Sequence, residues 1–174
     1  TLFDTFLKLN PKYTHEEVED RLILGLAMIT LAQGVPFFHL GMEFGRSKCL
    51  EHNSYNLSDK YNGVNWDNTS LYNNVIDTLR VLIKLREKYP MFRFNNCLDI
   101  KNNVKLDKNN GSLFLRYYDS SCNSEYCMIV KNDYIEESKV FAPGSKLVFN
   151  GRIEVEEEIE MFYFNKPGVY LIKK

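Results

Sequence analysis

The sequence predicts a chain of two kinds, the tail of a larger α/β domain followed by an antiparallel β-sandwich. Three observations carry this. Residues 1–94 hold two helical apolar periods with one short, almost unbroken apolar run between them. Residues 95–174 hold only short apolar or alternating runs, set apart by turn residues. Finally, a lone buried strand flanked by helices cannot satisfy its own backbone groups, so the first part expects parallel neighbours that these residues do not supply.

The first helix opens at Thr14. Glu17 follows three residues on, so that each side chain can take up the other's free amide in a capping box. Val18, Leu22, Ile23, Leu26, Ala27, Ile29 and Leu31 recur at helical spacing, and Gly34 with Pro36 supplies the stop. Residues 35–40 (VPFFHL) lack polar alternation, which suits a strand covered on both faces, as in a parallel sheet. Residues 41–68 show no sustained period, and a loop of more than about 20 residues in a compact domain is usually functional or disordered. Its Tyr55, Tyr61 and Trp66 speak against disorder. A second helix is expected from Ser70 or Leu71 to Lys88, with Tyr72, Val75, Ile76, Leu79, Leu82, Ile83 and Leu85 on one face and Pro90 as its end.

Strands are then expected at LFLRYY (113–118), YCMIV (126–130), KLVF (146–149), within 153–164, and at GVYLIK (168–173). Asn109-Asn110-Gly111, Pro143-Gly144, Asn150-Gly151 and Lys166-Pro167-Gly168 mark the turns. The acidic run from Glu154 to Glu160 alternates with Ile and Val and reads as the solvated face of a strand.

The 174 residues are 44% hydrophobic and 26% charged with a net charge of -1, enough for a core and too balanced to mark a nucleic-acid or anionic-membrane partner. No apolar run is long enough to span a bilayer, and no signal-peptide pattern opens the chain. Cys49, Cys97, Cys122 and Cys127 form no C-x-x-C pair and read as reduced thiols, which favours a cytosolic setting over a secreted one. Cys49 and His52 are three apart but have no second pair, so no zinc site is expected. There is no acidic cluster that demands calcium, and no phosphate, dinucleotide or nucleophile-elbow motif. No cofactor is therefore expected. The sequons at Asn56, Asn68 and Asn110 bear on the chain only if it is secreted by a eukaryote.

Candidate site residues concentrate just past the apolar run. A loop at the C-terminal end of a parallel strand lies on the face where α/β barrels build their sites. Glu43 and Arg46 could point into such a site, or form an ion pair that braces the loop. Asn53, Tyr55, Asn56, Asp59 and Asn62 are types that hydrogen-bond and stack on sugars, and equally types that Asx turns tie down. Trp66 is expected to anchor the loop, and His39 to be a hydrogen-bonded core histidine.

These segments resemble a known family. TLFDTF (1–6), GVPFFHLGMEFGRSK (34–48), HNSYN (52–56) and LIKLREKYPMFR (82–93) are similar, in order and spacing, to the C-terminal part of type I pullulanases of the α-amylase superfamily of glycoside hydrolases. Phe3 stands where Trp is usual, and Met42 and Gly45 also depart from the pattern. The resemblance implies that 1–94 is the end of a (β/α)8 TIM barrel, namely its last helices and eighth strand, and that 95–174 is a β-sandwich domain C. It implies cleavage of α-1,6-glucosidic bonds with retention by an Asp nucleophile and a Glu acid/base. Both lie on earlier strands of the family's barrel, and the stabilising Asp belongs to a His-Asp-Asn motif before the T-L-W-D stretch. Asp4 and Glu43 match motif positions that are not catalytic. No catalytic residue and no metal ligand is thus carried over. Arg46, Asn53, Tyr55, Asn56 and Asn62 are carried over as substrate-binding, with an α-glucan and the missing N-terminal part of the barrel as partners. The 174 residues alone are expected to be inert. Two other readings stand beside this one, a non-catalytic carbohydrate-binding or structural β-sandwich module and an α-amylase relative of other linkage specificity.

Overall fold

The computed structural model describes residues 1–109 and 111–174, so the sequon at Asn110 and the centre of the turn around it lie outside the described residues. Helix α1 (Leu2–Leu9) is capped by Thr1, whose hydroxyl oxygen accepts from the Asp4 amide at 3.1 Å. Such a short helix carries too few apolar turns to stand out by period. Helix α2 (His15–Leu31) starts at the expected capping box, with Glu17 N–H to Thr14 Oγ1 at 3.2 Å and Thr14 N–H to Glu17 Oε2 at 2.8 Å. Two single turns, α3 (Asp59–Asn62) and α4 (Asn68–Leu71), precede α5 (Asn73–Lys88). The second helix thus begins later than expected. Tyr72 leaves the helical region at φ -117° and ψ 28°, and its buried ring lies 4.9 Å from that of His15 and 6.5 Å from that of Phe3. Arg86 of α5 caps α2 from outside, donating to the carbonyls of Thr30 and Ala32 at 2.7 Å each.

Residues 35–40 correct the sequence expectation, for they form no strand. Val35 is 93% and Phe37 84% exposed, and His39 is exposed rather than a core histidine. The physical reason is the one anticipated: among the described residues no parallel strand lies beside this run, so it has nothing to pair with.

Among the described residues, helix α6 (Cys97–Asn103) leads into eight strands, β1 (Val104–Asn109), β2 (Ser112–Asp119), β3 (Ser124–Lys131), β4 (Glu137–Val140), β5 (Lys146–Phe149), β6 (Glu154–Glu158), β7 (Met161–Phe164) and β8 (Gly168–Lys173). They form an antiparallel six-stranded sheet, β1-β2-β3-β8-β5-β6, and a two-stranded sheet, β4-β7. The region expected as one strand over 153–164 is therefore two, which part at Ile159 and Glu160 to serve different sheets. Strands β3 and β8 read as continuous apolar runs because both faces of the large sheet are covered. On one face Tyr126, Met128, Val130, Val169 and Leu171 pack against Leu24, Ala27, Leu31, Leu82, Leu85, Met91 and Phe92 from the helical part. On the other, Phe114, Cys127, Ile129, Tyr170 and Ile172 meet Phe141 and Phe164 from the small sheet and its approach. A register shift between Leu147 and Phe149 turns Val148 and Phe149 both toward the helices. The architecture is thus mixed helix and antiparallel sheet, consistent with a β-sandwich that also serves as the wall behind α2 and α5. No helix among the described residues is long and apolar enough to cross a membrane.

Candidate functional site

The polar loop is launched by two glycines with left-handed backbone. Gly41 (φ +88°) and Gly45 (φ +64°) bracket a single 3-10 turn, Met42–Phe44. A Cβ on Gly41 would lie 2.7 Å from Arg46 Cβ, and one on Gly45 2.7 Å from the Tyr72 ring, so both positions need glycine for space as well as for φ. Beyond the turn the chain again takes positive φ at Cys49 (54°) and Leu50 (65°), conformations that non-glycine residues adopt at a cost.

What fixes the loop is a set of internal hydrogen bonds. Arg46 does not pair with Glu43. Its guanidinium donates to the carbonyl of Leu40 at 3.3 Å and to that of Asn62. The Asn62 amide donates to the carbonyls of Ser54 at 2.6 Å and Leu57 at 2.8 Å, and its Oδ1 accepts from Ser54 Oγ and Lys48 Nζ, both at 3.1 Å. Lys48 Nζ also donates to Ser54 Oγ at 2.9 Å. Of the five expected site residues, Arg46 and Asn62 therefore have their polar groups turned into the loop, while Asn53, Tyr55 and Asn56 stand on its outer surface. Tyr55 is 82% exposed. Trp66 lies 5.5 Å from the Phe44 ring yet stays 60% exposed, which gives it one face to the loop and one to solvent.

The sequence places Lys48 in the polar loop but gives no sign of its bonds to Ser54 and Asn62, passes over Ser54, and marks Asp4 only as a motif match. Asp4 is 3% exposed and accepts from Ser47 Oγ at 2.6 Å, Lys48 N–H at 2.8 Å and Thr1 Oγ1 at 2.9 Å. Burial pulls its carboxyl up, but the hydrogen bonds from Ser47, Lys48 and Thr1 outweigh burial and leave it below the usual carboxylate range. His39 is pushed below the ordinary histidine value by desolvation first and by the charges of Arg46 and Lys48 second.

Asn53, Tyr55 and Asn56 are all exposed on the outside of the loop. A cavity of about 710 Å³ lies elsewhere, between the end of α5 and the sheet, and its rim carries the Lys88–Glu154 and Lys146–Glu156 ion pairs. No group of three potential metal ligands occurs among the described residues. The loop can donate and accept hydrogen bonds through Asn53 and Asn56 and offer the faces of Tyr55 and Trp66, which is chemistry for hydroxyl-rich, ring-shaped ligands.

No family model matches the chain. Among curated proteins, the pullulanase of Bacillus subtilis (strain 168) is 36% identical over 105 residues, which are 60% of this chain and 15% of that protein. Among solved structures, a pullulanase from an Anoxybacillus species, complexed with maltotetraose, superposes with a TM-score of 0.89 at 25% identity, over 100% of this chain and 26% of that one. The type I pullulanase of Bacillus subtilis, complexed with maltose, gives 0.90 at 27% identity, over 98% of this chain and 25% of that one. The chain thus spans about a quarter or less of the relatives it matches.

Proposed function

We propose, from the premise that this chain is a partial, pullulanase-like segment, that it is the C-terminal part of a glycoside hydrolase acting on α-1,6-glucosidic bonds, with residues 1–94 closing the barrel and 95–174 forming the sandwich domain. The observation that carries the reading is the division of labour in the loop. Arg46, Lys48, Ser54 and Asn62 tie the backbone down from inside, and Asn53, Tyr55 and Asn56 are left facing outward. A loop built in this way presents a rigid polar and aromatic surface to an α-glucan and leaves proton transfer to residues outside these 174. The exposed Val35, Phe37 and Leu40 are read as an apolar face that the remainder of the barrel covers.

The test has two arms. The purified 174-residue chain should leave pullulan intact, and release of reducing sugar from it would overturn the division of roles. In the longer protein, Tyr55→Ala should raise KM for pullulan several-fold with kcat little changed, the signature of lost uniform binding. Unchanged kinetics would remove the loop from the glucan surface. Product analysis on pullulan against amylose separates α-1,6 from α-1,4 specificity.

A further inference from the structure

Asp4 and the loop are 43 and 44 residues apart in sequence at their points of contact. Both oxygens of this buried carboxylate are committed to two successive residues of the loop. Oδ1 accepts from the Ser47 hydroxyl at 2.6 Å, and Oδ2 accepts from the Lys48 amide at 2.8 Å. The contact does not stop there, because Ser47 Oγ in turn accepts from the Cys49 amide at 2.9 Å. Cys49 and Leu50 are the two non-glycine residues of the loop with positive φ. A relay therefore runs from α1 through Asp4 and Ser47 to the first of two strained peptide units, and the same turn sets out Lys48 toward Ser54 and Asn62. Strain of this kind persists only where its surroundings over-determine it.

We propose that Asp4 is a positioning residue for the outward face of the loop. By holding the strained turn at Cys49–Leu50, it fixes where Asn53, Tyr55 and Asn56 stand. The proposal rests on the reading of that face as the glucan surface. Chemistry explains why a carboxylate is needed. Ser47 and Lys48 each bring a donor to a different oxygen of the same group, and only a carboxylate accepts at both atoms. An asparagine presents one oxygen and one N–H₂, so one of the two loop donors meets another donor. Thr1 closes the arrangement from the other side, its hydroxyl donating to Oδ2 at 2.9 Å.

The experiment is residue-resolved amide exchange on the 174-residue chain and two variants, Asp4→Asn and Ser47→Ala. The second leaves α1 untouched and breaks only the relay. Both should speed exchange at the Lys48 and Cys49 amides by about 10- to 100-fold, the factor for one or two lost charge-assisted hydrogen bonds. Amides of β3 and β8 should not change. Wild-type protection of the loop in both variants overturns the proposal, and so does an equal acceleration everywhere, which would make Asp4 a residue of the fold alone. Maltotetraose titrated into the longer protein separates the two layers. Affinity lowered several-fold by Asp4→Asn, with α2 and sheet amides unmoved, supports the positioning role. A loosened loop with unchanged maltotetraose affinity refutes the glucan-facing reading, and with it the role assigned to Asp4.

Discussion

Replacing Asp20 should show how tightly the helical part is joined to the sandwich. Asp20 on α2 is 2% exposed. Its Oδ1 accepts from Arg152 in the β5–β6 turn, and its Oδ2 accepts from the Tyr134 hydroxyl at 3.0 Å. Arg21, one residue on, stacks its guanidinium 4.0 Å from the Tyr13 ring and 5.4 Å from that of Tyr134. Asp20→Ala removes two hydrogen bonds to a charged acceptor, each worth about 1.5–3 kcal/mol. Arg152 and Tyr134 are 36% and 38% exposed and regain water, so the lower half of that range applies. The expected cost is about 3 kcal/mol, or roughly 9 °C in Tm for a chain of this size. Urea unfolding followed by circular dichroism and by aromatic fluorescence measures it, and the two probes should shift together because the core is shared. In a double-mutant cycle, Arg152→Met should cost much less in the Asp20→Ala background than in the wild type. A loss under about 1 kcal/mol, or equal Arg152→Met costs in both backgrounds, would refute the assignment of this cluster as the junction.

Lys131 is 0% exposed and donates to Asp133 and Glu137 at 2.6 Å each, so Lys131→Met should destabilise by about 3 kcal/mol in the same urea assay. The Lys131 hydrogen bond holds the Asp133 carboxyl below its ordinary value; the stability it lends is present above pH of about 4, is lost as pH falls through the lowered value, and should be missing from the acid limb of Lys131→Met. Gly45→Ala should cost about 2–3 kcal/mol, from φ +64° and a Cβ 2.7 Å from the Tyr72 ring, and its signature is a shift of the Tyr72 and Phe44 ring resonances. Burial pushes the Cys127 thiol up while Cys49, Cys97 and Cys122 are exposed, so maleimide on the native chain should add three labels by mass, and a fourth only in denaturant.

Where the sequence announced structure, it did so through local chemistry. Thr14 and Glu17 mark the start of α2 within one turn, and the apolar runs at 126–130 and 168–173 become β3 and β8 because burial on both faces leaves no polar alternation to obscure them. Elements with weak local signals stayed hidden. Strand β4 offers a single apolar residue, Val140, in four, and β1 is an edge strand with charges on both sides of Leu106. Residues 35–40 carry the pattern of a strand buried on two faces, yet a strand exists only where another chain segment answers its hydrogen bonds. The outer residues of the loop could be guessed by type. The roles of Lys48, Ser54 and Asp4 could not, since each depends on a partner that only the fold brings near. The one local hint was the T-x-x-D at Thr1–Asp4, which reads as a helix cap and is also an anchor.

Strand β8 has a consequence for biosynthesis. It sits in the middle of the large sheet, paired with β3 along one edge and β5 along the other, although it is made after the other seven described strands. While residues 168–173 are still inside the ribosome, β3 and β5 have no common neighbour and Met128, Val130, Val148 and Phe149 have no complete floor for the helices. The nascent chain must therefore wait with α2 and α5 unsupported until β8 emerges and inserts between two waiting edges. Stalled nascent chains that end before 168 should accordingly be far more sensitive to protease than chains extended by a linker long enough to bring β8 clear of the exit tunnel.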